Sequence, residues 1–98
     1  MASISGMSLY RLSTSRDVSI SGTSAQSTAV AAGCVGVAIA TDTACRFVVG
    51  DDISSGPTAV ATSTYLPAGA VVWVKASPGQ KVAVIGTSGT MNVTDLTL

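Results

Sequence analysis

Apolar and polar residues alternate with a period of two along most of this chain, and no stretch keeps a helical period long enough to predict a helix. Short runs rich in Val, Ile, Thr and aromatic residues are separated by clusters of Ser, Gly, Pro and Asp, the usual turn residues. Such runs predict β-strands, and their regular spacing predicts an all-β sandwich or barrel. The predicted strands are Leu9–Leu12, Val18–Ser21, Val35–Ile39, Cys45–Val49, Val71–Lys75, Lys81–Ile85 and Met91–Leu96.

Turn residues predict that the last third of the chain is a three-stranded meander. Pro78 fixes its own φ, and Gly79 supplies the positive φ that the third position of a type II turn requires. The strand Val71–Lys75 is therefore expected to reverse into Lys81–Ile85. A second cluster of Thr, Ser and Gly is expected to turn the chain into Met91–Leu96.

The two cysteines, Cys34 and Cys45, are predicted to be buried free thiols. A hairpin of Val35–Ile39 with Cys45–Val49 would place every large side chain on one face. Cys34 then lies beyond the end of the pairing, several residues along the ladder from Cys45. A disulfide needs Cα atoms about 4.4–6.8 Å apart, which this register does not provide. A zinc site is not expected, because the chain offers no other soft ligand.

Composition argues against an enzyme. The 98 residues include no His and no Glu, and the five Asp and five Lys and Arg residues are scattered along the chain. Acid–base and nucleophilic catalysis both need titratable groups brought together. We therefore predict no catalytic residue and no cofactor.

Low charge predicts association with other protein molecules. Charged residues make up 10% of the chain and the formal net charge is zero, whereas about 25% is usual for soluble domains. Such a surface favours association, so neighbouring molecules are expected to cover much of it. Nucleic acid is not a predicted partner, because phosphate binding needs a basic patch and the five cations form no cluster in the sequence.

Targeting features are not found in the sequence. Residues 1–6 lack the basic stretch and apolar stretch of a signal peptide. The longest weakly polar stretch, Val30–Ala40, is too short to span a bilayer. A soluble protein made in a cytoplasm, with no membrane partner, is expected.

The chain is predicted to hold a single domain, residues 13–98, preceded by an arm or edge strand, residues 1–12. The N-terminal segment is too apolar for a free tail, yet Gly and Ser interrupt it too often for a secure core strand. An extended segment of this kind can add to the sheet edge of a neighbour. Its predicted partner-binding residues are Ile4, Met7, Leu9 and Tyr10.

Trp73 has two candidate roles. On a strand it shares one face with Val71 and Lys75, and the opposite face is also apolar. This pattern predicts a central strand that is buried on both sides, or one with a side that meets another chain. Trp73 is therefore expected in the core or at a subunit interface. The alternative is that Trp73 and Tyr65 stack against a sugar ring.

Asp51 and Asp52 are the candidate metal ligands. Clustered oxygens suit hard cations such as Ca²⁺. An isolated pair of Asp residues in a turn is more often solvated, so we predict no metal site.

Several segments, in order, resemble small virion-associated proteins of tailed bacteriophages, which are commonly encoded near the major capsid protein. The resemblance covers roughly residues 33–98. It rests on a strand that ends in Gly50, a loop "PTA…S…YLPAG" at residues 57–69, a strand "PGQKVAVI" at residues 78–85 and a terminal strand similar to "LNVTE". The terminal strand reads Met91-Asn92-Val93-Thr94-Asp95 here. The first 30 residues carry no part of the resemblance.

The resemblance implies a small β-sandwich in a phage particle, and we expect an antiparallel, jelly-roll-like sandwich that serves as a capsid decoration (cement) protein. The expected partners are the major capsid protein and the protein itself, as a homo-oligomer with a trimer favoured. The expected location is the capsid surface of the virion. Two alternatives are a neck or tail adaptor or completion protein, and a carbohydrate-binding module on the virion surface.

Overall fold

A computed structural model describes residues 10–51 and 56–98, which form two antiparallel β-sheets that pack face to face. Sheet A has the strand order β1-β8-β3-β6, and sheet B has the order β2-β7-β4-β5. The strands are β1 (Arg11–Ile20), β2 (Ala25–Gln26), β3 (Gly36–Thr41), β4 (Cys45–Gly50), β5 (Thr64–Leu66), β6 (Val71–Lys75), β7 (Lys81–Gly86) and β8 (Gly89–Thr97).

Strand pairing is nested along the chain. β4 pairs with β5, β3 with β6, β2 with β7 and β1 with β8, so each pair encloses the one before it. Within sheets A and B, β8 also pairs with β3 and β7 with β4. This order is that of a jelly roll, an antiparallel double sheet of eight strands. The prediction of an all-β, jelly-roll-like sandwich is confirmed.

The core lies between the sheets and follows from the period of two. In sheet A, Val37 and Ile39 of β3 and Val93 of β8 point inward and are fully buried. In sheet B, Val82 and Val84 of β7 do the same. Each such side chain contributes about 1.5–3 kcal/mol through removal of apolar surface from water. The central strands of both sheets therefore provide most of the stability.

The predicted hairpin of Val35–Ile39 with Cys45–Val49 is wrong. β3 belongs to sheet A and β4 to sheet B, so the intervening turn carries the chain across the sandwich. A hairpin would place both apolar faces on the same side of one sheet, whereas the crossing makes the two faces pack against each other. The prediction of buried free thiols is nevertheless confirmed for Cys34 and Cys45.

The predicted meander is also wrong, although its first turn is correct. The backbone N–H of Gln80 donates to the carbonyl oxygen of Ser77 at 3.1 Å, and Gly79 has a φ of 89°, as a type II turn requires. The turn connects β6 of sheet A with β7 of sheet B, and β8 returns to sheet A. The turn chemistry fixed the reversal of the chain but did not determine which strands pair.

The runs Leu9–Leu12 and Val18–Ser21 were predicted as separate strands, but one strand, β1, extends from Arg11 to Ile20. An irregularity in the pairing with β8 between Leu12 and Ser15 absorbs the Ser-Thr-Ser sequence that predicted a turn. The last two residues of the predicted arm, Arg11 and Leu12, thus belong to an edge strand. Residues 1–9 lie outside the described residues.

Candidate interaction surface

β6 lies at an edge of sheet A, and its outward side chains are large and exposed. Val72 and Val74 pack on the core, whereas Val71 and Trp73 point outward and Trp73 is 56% exposed. The prediction that Trp73 occupies a central strand buried on both sides is wrong, because β6 pairs only with β3 among the described strands. The alternative, that this face meets another chain, stays a prediction.

Tyr10, which immediately precedes β1, and apolar residues of β1 and β8 share this outward face with Trp73. The rings of Tyr10 and Trp73 meet edge to face, with centroids 5.9 Å apart and planes at 62°. Leu12 lies opposite Leu96 in the β1–β8 pairing and is exposed, whereas Leu96 is only 3% exposed. We call Tyr10, Leu12, Val71, Trp73 and Leu96 the Trp73 surface.

A groove of about 360 Å³ lies within the Trp73 surface, where Tyr10, Trp73 and Leu96 contribute to its lining. The small residues of β3 make room for it. Gly36 lines the groove, and a Cβ there would lie 2.6 Å from the carbonyl oxygen of Val74, so this close approach requires glycine. Among the described residues that line the groove, Lys75 alone is charged. The groove suits an apolar ligand or side chain.

Polar residues of the same outward face bond to one another. The amide nitrogen of Asn92 donates to Asp17 Oδ1 at 3.0 Å and to Ser15 Oγ at 3.4 Å. The hydroxyl of Thr94 donates to the amide oxygen of Asn92 at 3.0 Å. Because these groups satisfy each other, they offer fewer free partners to a polar ligand.

A second exposed aromatic residue, Tyr65, lies on the outward face of sheet B. The guanidinium of Arg46 stacks over its ring at 5.4 Å and donates to the carbonyl oxygen of Ser63 at 3.1 Å. Tyr65 is 54% exposed, about as much as Trp73. Since the two aromatic rings lie on opposite faces of the sandwich, they do not form a common sugar platform.

An ion pair between Arg16 and Asp95 connects β1 with β8 on the inward side of sheet A. Arg16 Nη1 donates to Asp95 Oδ1 at 2.8 Å, and the Asp95 side chain is 2% exposed. The other carboxylate oxygen accepts from the backbone N–H of Ala31 at 3.4 Å, and Arg16 Nη2 donates to the carbonyl oxygen of Thr28 at 3.2 Å. Sequence reasoning missed this pair, although Asp95 follows Met91 and Val93 at the inward period of β8.

Cys45 is a poor nucleophile. Burial raises the pKa of the Cys45 thiol above its ordinary value, an effect opposed by a 3.8 Å hydrogen bond with the hydroxyl of Thr41. Since the thiolate is the reactive form of cysteine, a raised pKa keeps Cys45 unreactive near neutral pH.

Asp51 accepts a hydrogen bond from the side-chain amide of Gln80 at 3.0 Å, while Asp52 lies outside the described residues. No three His, Cys, Asp or Glu residues lie close enough together to hold a metal ion in the part of the chain that the structure describes. Residues 10–51 and 56–98 also contain no helix of the length and hydropathy that a membrane crossing requires.

Of the four predicted partner-binding residues, the structure places Tyr10 on the Trp73 surface. The other three, Ile4, Met7 and Leu9, lie outside the described residues. Comparison of the chain with protein-family models, curated proteins and solved structures finds no match.

Proposed function

We propose that the protein is a structural component of a tailed-phage virion, a decoration (cement) protein that binds the assembled head through the Trp73 surface. The observation that carries this proposal is an exposed, largely apolar face with an aromatic pair on a chain of zero net charge. Buried Trp and Tyr anchors dominate the binding energy of protein interfaces. The choice of a phage particle rests on the sequence segments that resemble phage virion proteins and follow one another in the same order.

The partners in this proposal are the major capsid protein and further copies of the chain, with a trimer favoured because capsid lattices offer threefold positions. The mechanism is thermodynamic linkage. A protein that binds the expanded shell and not its precursor stabilises the expanded state by about 2.7 kcal/mol per site at a free concentration 100 times Kd. Many sites per shell multiply the effect without any chemical step.

A carbohydrate-binding module is the second candidate, because the exposed ring of Trp73 could stack on a sugar. Jelly rolls occur in both capsid proteins and lectins, so the fold does not decide between them. The mainly apolar groove and the mutually bonded Asn92 cluster favour a protein partner over a polyol. A neck or tail position would use the same surface and differs only in location.

Binding to purified heads tests the proposal, with Trp73→Ala as the variant and Tyr65→Ala as its matched control. Both side chains are aromatic and similarly exposed, but they lie on opposite faces. We expect Trp73→Ala to raise the Kd for expanded heads by about 30-fold, the effect of losing roughly 2 kcal/mol at an interface anchor. Tyr65→Ala should leave the Kd within about twofold.

Equal loss of binding in both variants would contradict a site on sheet A, and undiminished binding of Trp73→Ala would remove the Trp73 surface from the mechanism. Trp73 is the single tryptophan, so its fluorescence reports directly on a bound sugar. A saturable change in emission with oligosaccharides of the host surface, without binding to heads, would replace this proposal with the carbohydrate-binding function.

A further inference from the structure

The free edge of β6 is an open position for another strand. β6 pairs with β3 on one side, and no described strand pairs with its other side. Natural edge strands usually carry Lys, Pro, a bulge or an inward charge that prevents pairing with another chain. β6 carries one of these, Lys75 at its last position, and none from Val71 to Val74, where the inward residues are Val72 and Val74.

β1 begins at the end of sheet A where the groove lies. Arg11 pairs with Thr97 at this end. At the next position along the sheet, Leu96 pairs with Gly36, and Gly36 pairs with Lys75. All three of these residues line the groove of the Trp73 surface. Tyr10, which contacts Trp73 of its own chain, therefore places the start of the described chain beside this groove.

The length of the segment allows it to reach a second copy. Nine residues precede Tyr10, and in extended form they span about 30 Å, about twice the width of a four-stranded sheet. Residues 1–9 contain no charged side chain, so burial of the side chains of Met7 and Leu9 against an apolar edge leaves no ionised side chain unpaired. Met7 and Leu9 are two residues apart and would share one face of an added strand.

We propose that residues 1–9 of one copy add as a strand to the free edge of β6 in a second copy, with Met7 and Leu9 beside Trp73, so that the face which meets the head includes the arm of the neighbouring copy. Backbone hydrogen bonds to the edge provide affinity, and the side chains in the groove provide specificity. Thioether contacts with aromatic rings are favourable, which suits Met7 beside Trp73. The interface is heterologous, since arm and edge are different surfaces, and such interfaces close into rings such as a trimer.

This inference rests on the homo-oligomer that is part of the proposed function. Disulfide trapping between two full-length variants tests it. One carries Ser5→Cys, which keeps Met7 and Leu9 intact, and the other carries Val71→Cys at the exposed start of β6. The control partner carries Ser19→Cys, an exposed position on the outward face of β1 near the far end of the sheet. Intact mass separates the mixed dimer from the homodimers.

We expect the Ser5→Cys and Val71→Cys chains to give about tenfold more mixed disulfide dimer than the control pair, because a bound arm raises the local thiol concentration. Equal yields from both pairs would overturn the inference. A double variant that carries both Ser5→Cys and Val71→Cys in one chain gives a second test. An intramolecular disulfide in this variant, with no mixed dimer from the single variants, would overturn the inference as well, since the arm would then occupy the groove of its own chain.

The arm exchange and the proposed function fail separately. Mixed dimers from a protein that does not bind heads would leave the exchange standing and remove the decoration role. Head binding without mixed dimers above the control would leave the decoration role standing and remove the exchange.

Discussion

Asp95 carries a charge at a position where its strand faces the core. The carboxylate is satisfied by Arg16 and by the backbone N–H of Ala31, and both contacts tie segments far apart in the chain to β8. A buried ion pair costs desolvation energy on each partner, so it contributes little net stability but is expensive to break. Arg16 and Asp95 therefore fix the pairing of β1 with β8 more than they stabilise the fold.

Replacement of Asp95 by Asn should lower the free energy of unfolding by about 3 kcal/mol, because the largely buried Arg16 charge would lose its counter-ion. The control is Asp17→Asn, an exposed change one pairing position from Arg16 on the opposite face of β1, which should cost about 0.5 kcal/mol or less. Urea unfolding followed by circular dichroism measures both. Equal effects of the two variants would show that the ion pair has no structural role.

The reactivity of the two thiols measures whether the core of the native sandwich is accessible to solvent. Cys34 and Cys45 are both buried, and burial raises the pKa of Cys45. We expect neither thiol to react with a disulfide reagent at pH 8 in the native protein and both to react after unfolding in guanidinium. Rapid labelling of one thiol in the native state would show that its part of the core opens locally.

Because its pKa is raised on folding, Cys45 makes the stability of the protein depend on pH. The folded state favours the neutral thiol, so the contribution of Cys45 to stability is complete at a pH below the pKa that this thiol has in the unfolded chain. That contribution is lost as the pH rises through the folded pKa.

At the scale of elements, strand content was predictable and strand pairing was not. Five predicted runs coincide closely with β3, β4, β6, β7 and β8, because alternation with β-branched residues is a local signal. The same alternation of apolar and polar residues fits two strands paired in a hairpin and two strands that lie in opposite sheets. The sequence pattern therefore could not distinguish these two arrangements. β2 and β5, with two and three residues, are too short to show a period.

The Trp73 surface also could not be predicted from the sequence, because its exposure depends on how the strands pair. Apolar residues on both faces of β6 were visible in the sequence, but only the topology shows that one face packs on the core and the other is exposed. Tyr10 was predicted from its apolar segment, whereas its contact with Trp73 follows from the strand order β1-β8-β3-β6, which the sequence pattern does not show.

Trp73→Ala should leave the domain folded and lower its free energy of unfolding by about 1 kcal/mol, mainly through loss of the contact with Tyr10. The contrasting variant is Phe47→Ala on β4, where the ring is 7% exposed and its removal should cost about 3–5 kcal/mol. Urea unfolding followed by circular dichroism compares the two. A loss as large for Trp73 as for Phe47 would mean that Trp73 is a core residue after all.

In the whole molecule, nested pairing joins all eight strands of the described residues into one sandwich. The outermost pair, β1 with β8, joins residues that lie from 69 positions apart (Ile20 with Gly89) to 86 positions apart (Arg11 with Thr97). Folding therefore depends on non-local contacts and should be slow for the size of the domain. Residues 1–8 precede this pair. Their removal should affect binding without affecting the sandwich.

Deletion of residues 1–8 should leave the circular dichroism spectrum unchanged and weaken binding to heads at least tenfold, which corresponds to a loss of about 1.4 kcal/mol. Sedimentation of the variant with expanded heads measures the affinity. Unfolding of the variant would show that the segment is an internal strand, and full binding would exclude it from attachment.

Cryo-EM of the phage particle in which we propose that this protein resides is the decisive measurement. We expect many symmetry-related copies of the jelly roll on the outer surface of the head, favouring threefold positions, with the Trp73 surface buried against capsid protein or a neighbouring copy. Absence of the sandwich from the head, or its presence there with Trp73 exposed to solvent, would rule out the proposed decoration role.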